Sequence, residues 1–183
     1  MTSNALIDPA PPVNAQDKVD TIFKGVEKDF GFIPDGLLLY GISPPLLEAF
    51  LANFSYFMTH EELSPELFGM IRYLNSTGVG CSYCIDFNAG FLINLGKTPE
   101  QLQAAQENVD NAPLSDPEKV LLKIALASLK NPDGVTQDEL QRARDQGFTD
   151  KNIFDAVVAA ASNRAFTTVL KTFNVIQQGT SFS

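Results

Sequence analysis

Two cysteines three positions apart are the residues of this chain whose type and spacing could do chemistry. Cys81 and Cys84 are the only cysteines among 183 residues, and they follow Gly78 and Gly80 directly in the run GVGCSYC. Two thiols at the entrance of a helix can close a disulfide locally and open it again. The thiolate is the reactive form. A free thiol's pKa of about 8.5 falls where the unpaired amides of a helix N-terminus carry partial positive charge. By that physics Cys81, the earlier and typically more exposed of such a pair, is the better nucleophile. Two cysteines can also simply pack in a core, but this spacing straight after a glycine break favours redox use. Structural zinc wants four ligands, and beyond the two thiols the chain offers a single histidine, His60.

Other candidates carry less. His60 lies in Thr59-His60-Glu61-Glu62, between two helical patterns and among carboxylates, and reads as an exposed loop histidine. Asp86 and Glu100 have no paired carboxylate at a useful spacing. There is no glycine-rich phosphate loop after a strand and no nucleophile elbow, so no cofactor or metal is expected.

The elements that must position the thiols are helices. Ser64-Pro65-Glu66 is a helix start, and Leu67, Met70, Ile71 and Leu74 form its inner face before Gly78-Val79-Gly80 stops it. The CxxC helix follows, with Cys84, Phe87, Asn88, Phe91, Leu92 and Leu95 on one face and Gly96 at its end. Upstream, Val19, Ile22, Phe23, Val26 and Phe30 keep helical spacing, and Phe32 to Ile42 reads as a turn and a short apolar piece. Ser43-Pro44-Pro45 opens a helix whose stripe is Leu47, Phe50, Leu51, Phe54 and Met58. Downstream, Thr98-Pro99 caps a short helix. Ser115 with Glu118 and Thr136 with Glu139 are capping boxes, and Thr149 caps the last and longest helix. No stretch alternates with period two, so the fold class is all-α. Residues 1–16, with Pro9, Pro11 and Pro12, are expected to be a flexible arm, and 17–183 one helical domain.

Composition bounds the partners. Hydrophobic residues are 44% and charged residues 19%, an ordinary globular balance. Net charge is −9, from 22 acidic against 13 basic residues. That argues against a nucleic-acid backbone, which needs clustered Lys and Arg, and against anionic membrane surfaces. No apolar run approaches the roughly 20 residues of a membrane span. The N-terminal residues lack the basic and apolar regions of a secretion signal, so a cytoplasmic, reducing compartment is expected.

The run LSPELFGMIRYLNSTGVGCSYCIDFNAGF resembles the active-site helix pair of the alkylhydroperoxidase D-like (AhpD-like) proteins. These lie within the carboxymuconolactone decarboxylase superfamily. The likeness extends to Phe32-Ile33-Pro34, to the Ser43-Pro44 helix start and to the last helix from Phe148 to Phe173. It implies an all-α AhpD-like helical bundle that assembles into homo-oligomers (dimer, trimer or hexamer). It also implies a peroxide or disulfide substrate and a dithiol reductant such as a lipoylated protein. In that family the second cysteine attacks the peroxide, the first resolves it as a disulfide, and a histidine and a glutamate relay the proton.

Carried onto this chain, the resemblance makes Cys84 the attacking thiol and Cys81 the resolving one, the reverse of the helix-terminus argument; the order stays open. The relay positions depart from the pattern. Asn88 stands where the family has histidine, and Gly69 where it has glutamate. An asparagine cannot take a proton at neutral pH, and a glycine offers no acid or base. General acid–base help is worth about a hundred- to ten-thousandfold in rate, so peroxide reduction is expected to be slow unless Tyr83, Asp86 or Arg72 has taken the role. The site expected is therefore Cys81 and Cys84 supported by Asn88, Tyr83 and Gly69. The function expected is a thiol–disulfide oxidoreductase, with an inactive binding or redox-sensing module as the alternative. Loss of the glutamate side chain is expected to leave room beside Gly69. A lactone decarboxylase, from the other branch of the superfamily, would need a proton-transferring group in the pocket, where His60 is not expected to lie.

Overall fold

The protein is described here from a computed structural model covering residues 5–175. Among those residues every regular element is helical: α1 Gln16–Phe30, α2 Asp35–Tyr40, α3 Pro44–Met58, α4 Pro65–Gly78, α5 Ser82–Asn94, α6 Pro99–Glu107, α7 Asp116–Lys130, α8 Gln137–Asp145 and α9 Asp150–Thr172, with single turns of 3-10 helix before α1, after α6 and after α7. The chain forms two compact units. Of the described residues, one holds 5–56 with 168–175 and the other holds 57–167.

In the first unit the apolar stripe of α1 is buried as its spacing predicts. Val19, Phe23 and Val26 meet Leu37 of α2 and Leu47 of α3, with Ile22, Phe30, Phe50 and Leu51 around them. Each such side chain contributes about 1.5–3 kcal/mol when fully buried. Phe30 and Phe50 flank Phe54, at centroid separations of 5.9 and 6.4 Å. The segment read from sequence as a turn and an apolar piece is in fact helical over Asp35–Tyr40. Pro34 supplies the extended residue before it, and the Leu37 amide bonds the Pro34 carbonyl at 2.8 Å. Residues 1–4 of the expected arm lie outside the described range. Farther along it, the Leu6 amide donates to the Phe173 carbonyl at 2.9 Å.

The second unit is built around α4. Leu67 through Ile71 are all buried, so this helix is apolar on every side over that turn. The core it belongs to includes Leu92 of α5, Leu102 and Ala105 of α6, Leu121, Leu122, Ile124 and Ala125 of α7, Ala143 of α8, and Ile153, Ala156, Ala159 and Ala160 of α9. The helix starts read from sequence are real. Ser64 Oγ accepts the Leu67 amide at 3.1 Å, and Ser115/Glu118 and Thr136/Glu139 close reciprocal capping boxes. Thr98 does the same with Gln101. The Glu118 carboxylate also takes a hydrogen bond from Ser64 Oγ, which ties the starts of α4 and α7 together. By length and composition α9 would be long and apolar enough to cross a membrane, although the sequence showed no such run. Half of that stretch is buried inside the protein, and Asn152, Asp155, Asn163 and Thr167 are among its buried residues, which makes it a core helix.

Candidate active site

The two thiols stand at a junction that the backbone dictates. α4 ends in a Schellman motif. Gly80 takes a left-handed φ of 63°, its amide bonds the Thr77 carbonyl at 3.1 Å, and the Cys81 amide bonds the Ser76 carbonyl at 3.1 Å. Only glycine enters that φ without steric cost. Cys81 is at once the residue that closes α4 and the N-cap of α5. Its Sγ accepts the Cys84 amide at 3.4 Å, the place a serine oxygen takes in an ordinary cap. Both cysteines are thiols in this structure, 4% and 2% exposed for Cys81 and Cys84. Both are buried, so exposure does not separate the pair.

Cys84 has a specific surrounding. Thr167 Oγ1, from α9, donates to its sulfur at 3.6 Å. Asn88, one turn along α5, donates from Nδ2 to the Cys84 carbonyl at 2.7 Å and to Ser76 Oγ at 3.3 Å. Ser76 Oγ donates in turn to the Arg72 carbonyl at 2.6 Å. Arg72 Nε donates to Asn88 Oδ1 at 3.0 Å. Asn88, carried over from the family's histidine position, is thus a clamp between the Cys84 turn and a guanidinium.

The electrostatics follow from that arrangement. The Cys84 thiol is held above the ordinary range by its hydrogen bond to Cys81, then by burial and by charge on Cys81, while Thr167 and Arg72 pull it down. Burial presses Arg72 down to about 10, against Cys84 and Tyr83, whose charges would raise it. At neutral pH it remains a cation. Of the three residues expected to stand in for the relay, Arg72 is coupled to the Cys84 thiol, Tyr83 is coupled to Arg72, and Asp86 is exposed. Tyr83 is buried and stacks on Phe87, rings 6.2 Å apart and 11° from parallel.

Gly69 is not beside an empty space. A Cβ there would stand 2.8 Å from Leu92 Cδ2 and 3.0 Å from the Phe91 ring, so the room expected from a missing glutamate is filled by α5. Glycine at this position lets α4 and α5 approach.

His60 corrects the sequence expectation outright. Its side chain is 2% exposed and meets Asp155 Oδ2 through Nε2 at 3.0 Å. Nδ1 accepts the amides of Glu62 and Leu63 at 3.1 and 3.0 Å. An Nδ1 that accepts two amides carries no proton, so Nε2 holds it and donates to the carboxylate. Lys151 reaches the same carboxylate at 2.8 Å. This histidine braces the α3–α4 connection against α9. Among the described residues no group of three or more His, Cys, Asp or Glu could hold a metal ion.

Arg72 entered the sequence reading only as one of three substitutes, and Thr167 not at all. Its signal was faint: one of two adjacent threonines between Phe166 and Val169 in the last helix.

No protein-family model and no curated protein matches the chain. Solved structures do. An uncharacterized peroxidase-related protein from Silicibacter sp. TM1040 superposes with a TM-score of 0.87 at 20% identity, covering 98% of this chain and 95% of that one. An uncharacterized peroxidase-related protein with an alkylhydroperoxidase AhpD core, from Ralstonia eutropha JMP134, gives 0.86 at 20% identity, over 100% and 96%. The debrominase Bmp8 gives 0.73 at 18% identity, over 97% and 93%. The chain has the all-α AhpD-like fold of these peroxidase-related proteins.

Proposed function

We propose that this protein is a thiol–disulfide oxidoreductase that reduces small hydroperoxides with the Cys81/Cys84 dithiol. What carries the proposal is the N-cap geometry: Cys81 Sγ receives the Cys84 amide, while Thr167 and the Arg72–Asn88 clamp address Cys84. The names of the structural neighbours, two peroxidase-related proteins and a debrominase, support an enzyme of this fold.

In the resting dithiol Cys84 keeps its proton and shares it with Cys81. Cys84 gives up that proton to solvent, leaving a thiolate that Arg72 and the Thr167 hydroxyl stabilise. The thiolate attacks the peroxide; a sulfur–oxygen bond forms, the oxygen–oxygen bond breaks, and the departing alkoxide is protonated from solvent. The Cys81 thiol then displaces water from the Cys84 sulfenic acid, and the disulfide forms. A dithiol protein returns two electrons and two protons. Such a cycle belongs in a reducing, cytoplasmic compartment, and assembly of the chain into a homo-oligomer completes the proposal.

One observation favours a second interpretation, a redox sensor without turnover: the position of the family's acid is walled by Leu92 and Phe91. A single experiment decides between them. Reduced protein is mixed with peroxide and its thiols counted by mass, with and without a small dithiol reductant. Joint loss of both thiols and repeated turnover is expected. One oxidation without turnover supports the sensor. Thiols that persist in excess oxidant, or turnover that survives Cys84→Ser, overturn the enzyme.

A further inference from the structure

An asparagine amide can be built either way round, but here chemistry fixes it. Arg164 Nε donates to Asn75 Oδ1 at 2.8 Å. A guanidinium only donates, so the Asn75 atom facing it is oxygen and its nitrogen points on to α9. That nitrogen donates to Asn163 Oδ1 at 2.6 Å. Asn163 must then present Nδ2 elsewhere. This nitrogen meets no acceptor among the described residues, although Asn163 is 3% exposed. Buried polar groups are almost always paired, and an orphaned donor carries a desolvation penalty that an acceptor would relieve.

Its location gives the orphan a use. Asn163 lies one turn before Thr167 on the same face of α9, and Thr167 Oγ1 touches the Cys84 sulfur. Its partner Asn75 adjoins Ser76, whose carbonyl takes the Cys81 amide. The unused donor thus belongs to a side chain whose neighbours on α9 and α4, Thr167 and Ser76, contact the thiol pair.

We propose that Asn163 Nδ2 and Thr167 Oγ1 form a two-donor site that holds the oxygens of a hydroperoxide during attack by Cys84, an inference that rests on the peroxide chemistry proposed above. As the sulfur–oxygen bond forms, the sulfur gives up its charge and the Thr167 hydroxyl is released from it. Negative charge collects on the departing oxygen, and both donors meet it there. The pair performs the stabilisation that a proton relay would otherwise provide, with hydrogen bonds in place of a transferred proton.

The test mixes reduced parent protein, Asn163→Ala and Thr167→Val with hydrogen peroxide or, separately, with an aromatic disulfide, and follows thiol loss. Either variant should slow the peroxide reaction by roughly a hundredfold, the order found when one oxyanion donor is removed. For Asn163→Ala the disulfide reaction should change by less than about threefold, because its departing sulfur is a weak acceptor. Thr167→Val also strips a hydrogen bond from the attacking sulfur, so it should slow both reactions, and the peroxide reaction more. An unchanged peroxide rate in both variants overturns the inference, and so does equal slowing with both reagents, which would mark general damage to the thiol environment. Should Asn163→Ala lose its helical circular dichroism, Asn163→Asp, which keeps the Asn75 bond, and the isosteric Thr167→Val decide. A parent protein that exchanges with the disulfide but resists peroxide removes the peroxide chemistry itself, a failure visible before any variant is made.

Discussion

Arg72 Nε donates to Asn88 Oδ1 at 3.0 Å, and the other end of that amide holds the Cys84 carbonyl at 2.7 Å. A cation is thereby fixed to the helical turn of Cys84. Arg72 is one of two groups pulling the Cys84 thiol down. Replacing it with methionine should move the pH profile of thiol oxidation upward and slow the reaction at pH 7, since each pKa unit is worth about tenfold in thiolate. Arg72→Lys should recover part of the charge effect without the Asn88 bond. The measurement is thiol consumption by peroxide across pH, and superimposable profiles for parent and Arg72→Met would refute the role.

The raised Cys84 thiol also bears on stability. A thiol whose folded pKa exceeds its unfolded value has bound more protons in the folded state once the unfolded chain begins to ionise. Its stabilising contribution is complete below the ordinary value of 9.0 and declines as pH rises beyond it. The loss should approach about 1.4 kcal/mol per pH unit. Urea midpoints between pH 8 and pH 9.5, below the range where the raised Tyr40 and Tyr73 ionise, should fall more steeply for the parent than for Cys84→Ala. Parallel curves would show that Cys84 is not the group responsible.

Restoring the family's acid should fail. Gly69→Glu would drive a side chain into Leu92 and the Phe91 ring, where even a Cβ is too close. Overpacking and a carboxylate buried against apolar groups together should cost about 3 kcal/mol or more. Denaturant unfolding reads this directly. A variant as stable as the parent with faster peroxide turnover would mean the helices part easily and that the space is available after all.

His60 should matter to stability and not to chemistry. His60→Ala leaves two backbone amides and part of the Asp155 carboxylate without the imidazole, at a cost of about 2–4 kcal/mol. Thiol oxidation at a temperature where the variant is folded should match the parent. A large loss of thiol reactivity with little loss of stability would bring the imidazole into the mechanism.

The same residue shows where reading the sequence stops. Ser64, Ser115 and Thr136 were legible because a cap is local: its partner lies three residues away. The Gly80 break was legible for the same reason. His60 was read as exposed because Thr59, Glu61 and Glu62 are polar, while what buries it is Asp155 on α9. Thr167 and Asn163 were invisible as site residues, since their meaning depends on α9 lying beside Cys84 and Asn75. Gly69 gave the right position and the wrong consequence. A glycine in a helix can mean a lost side chain or a close approach, and only Leu92 and Phe91 distinguish the two.

The order of the two thiols can be read from one substitution. Cys81 occupies an N-cap, where serine is among the best residues and a sulfur at 3.4 Å from the amide is a long acceptor. Cys81→Ser should therefore fold at least as stably as the parent, which separates its chemical effect from damage. If Cys84 attacks, this variant still reacts with peroxide, but no resolving thiol remains. Its mass should rise by one oxygen atom on Cys84 and should not fall by two hydrogens, and the sulfenic acid should be trapped by a carbon nucleophile. If Cys81 is the attacking thiol, as helix-terminus physics alone would have it, Cys81→Ser will be inert and Cys84→Ser will carry the oxygen. The contacts of Thr167 and the Arg72–Asn88 clamp all address Cys84, and the oxidised mass of these two variants tests whether those contacts mark the nucleophile.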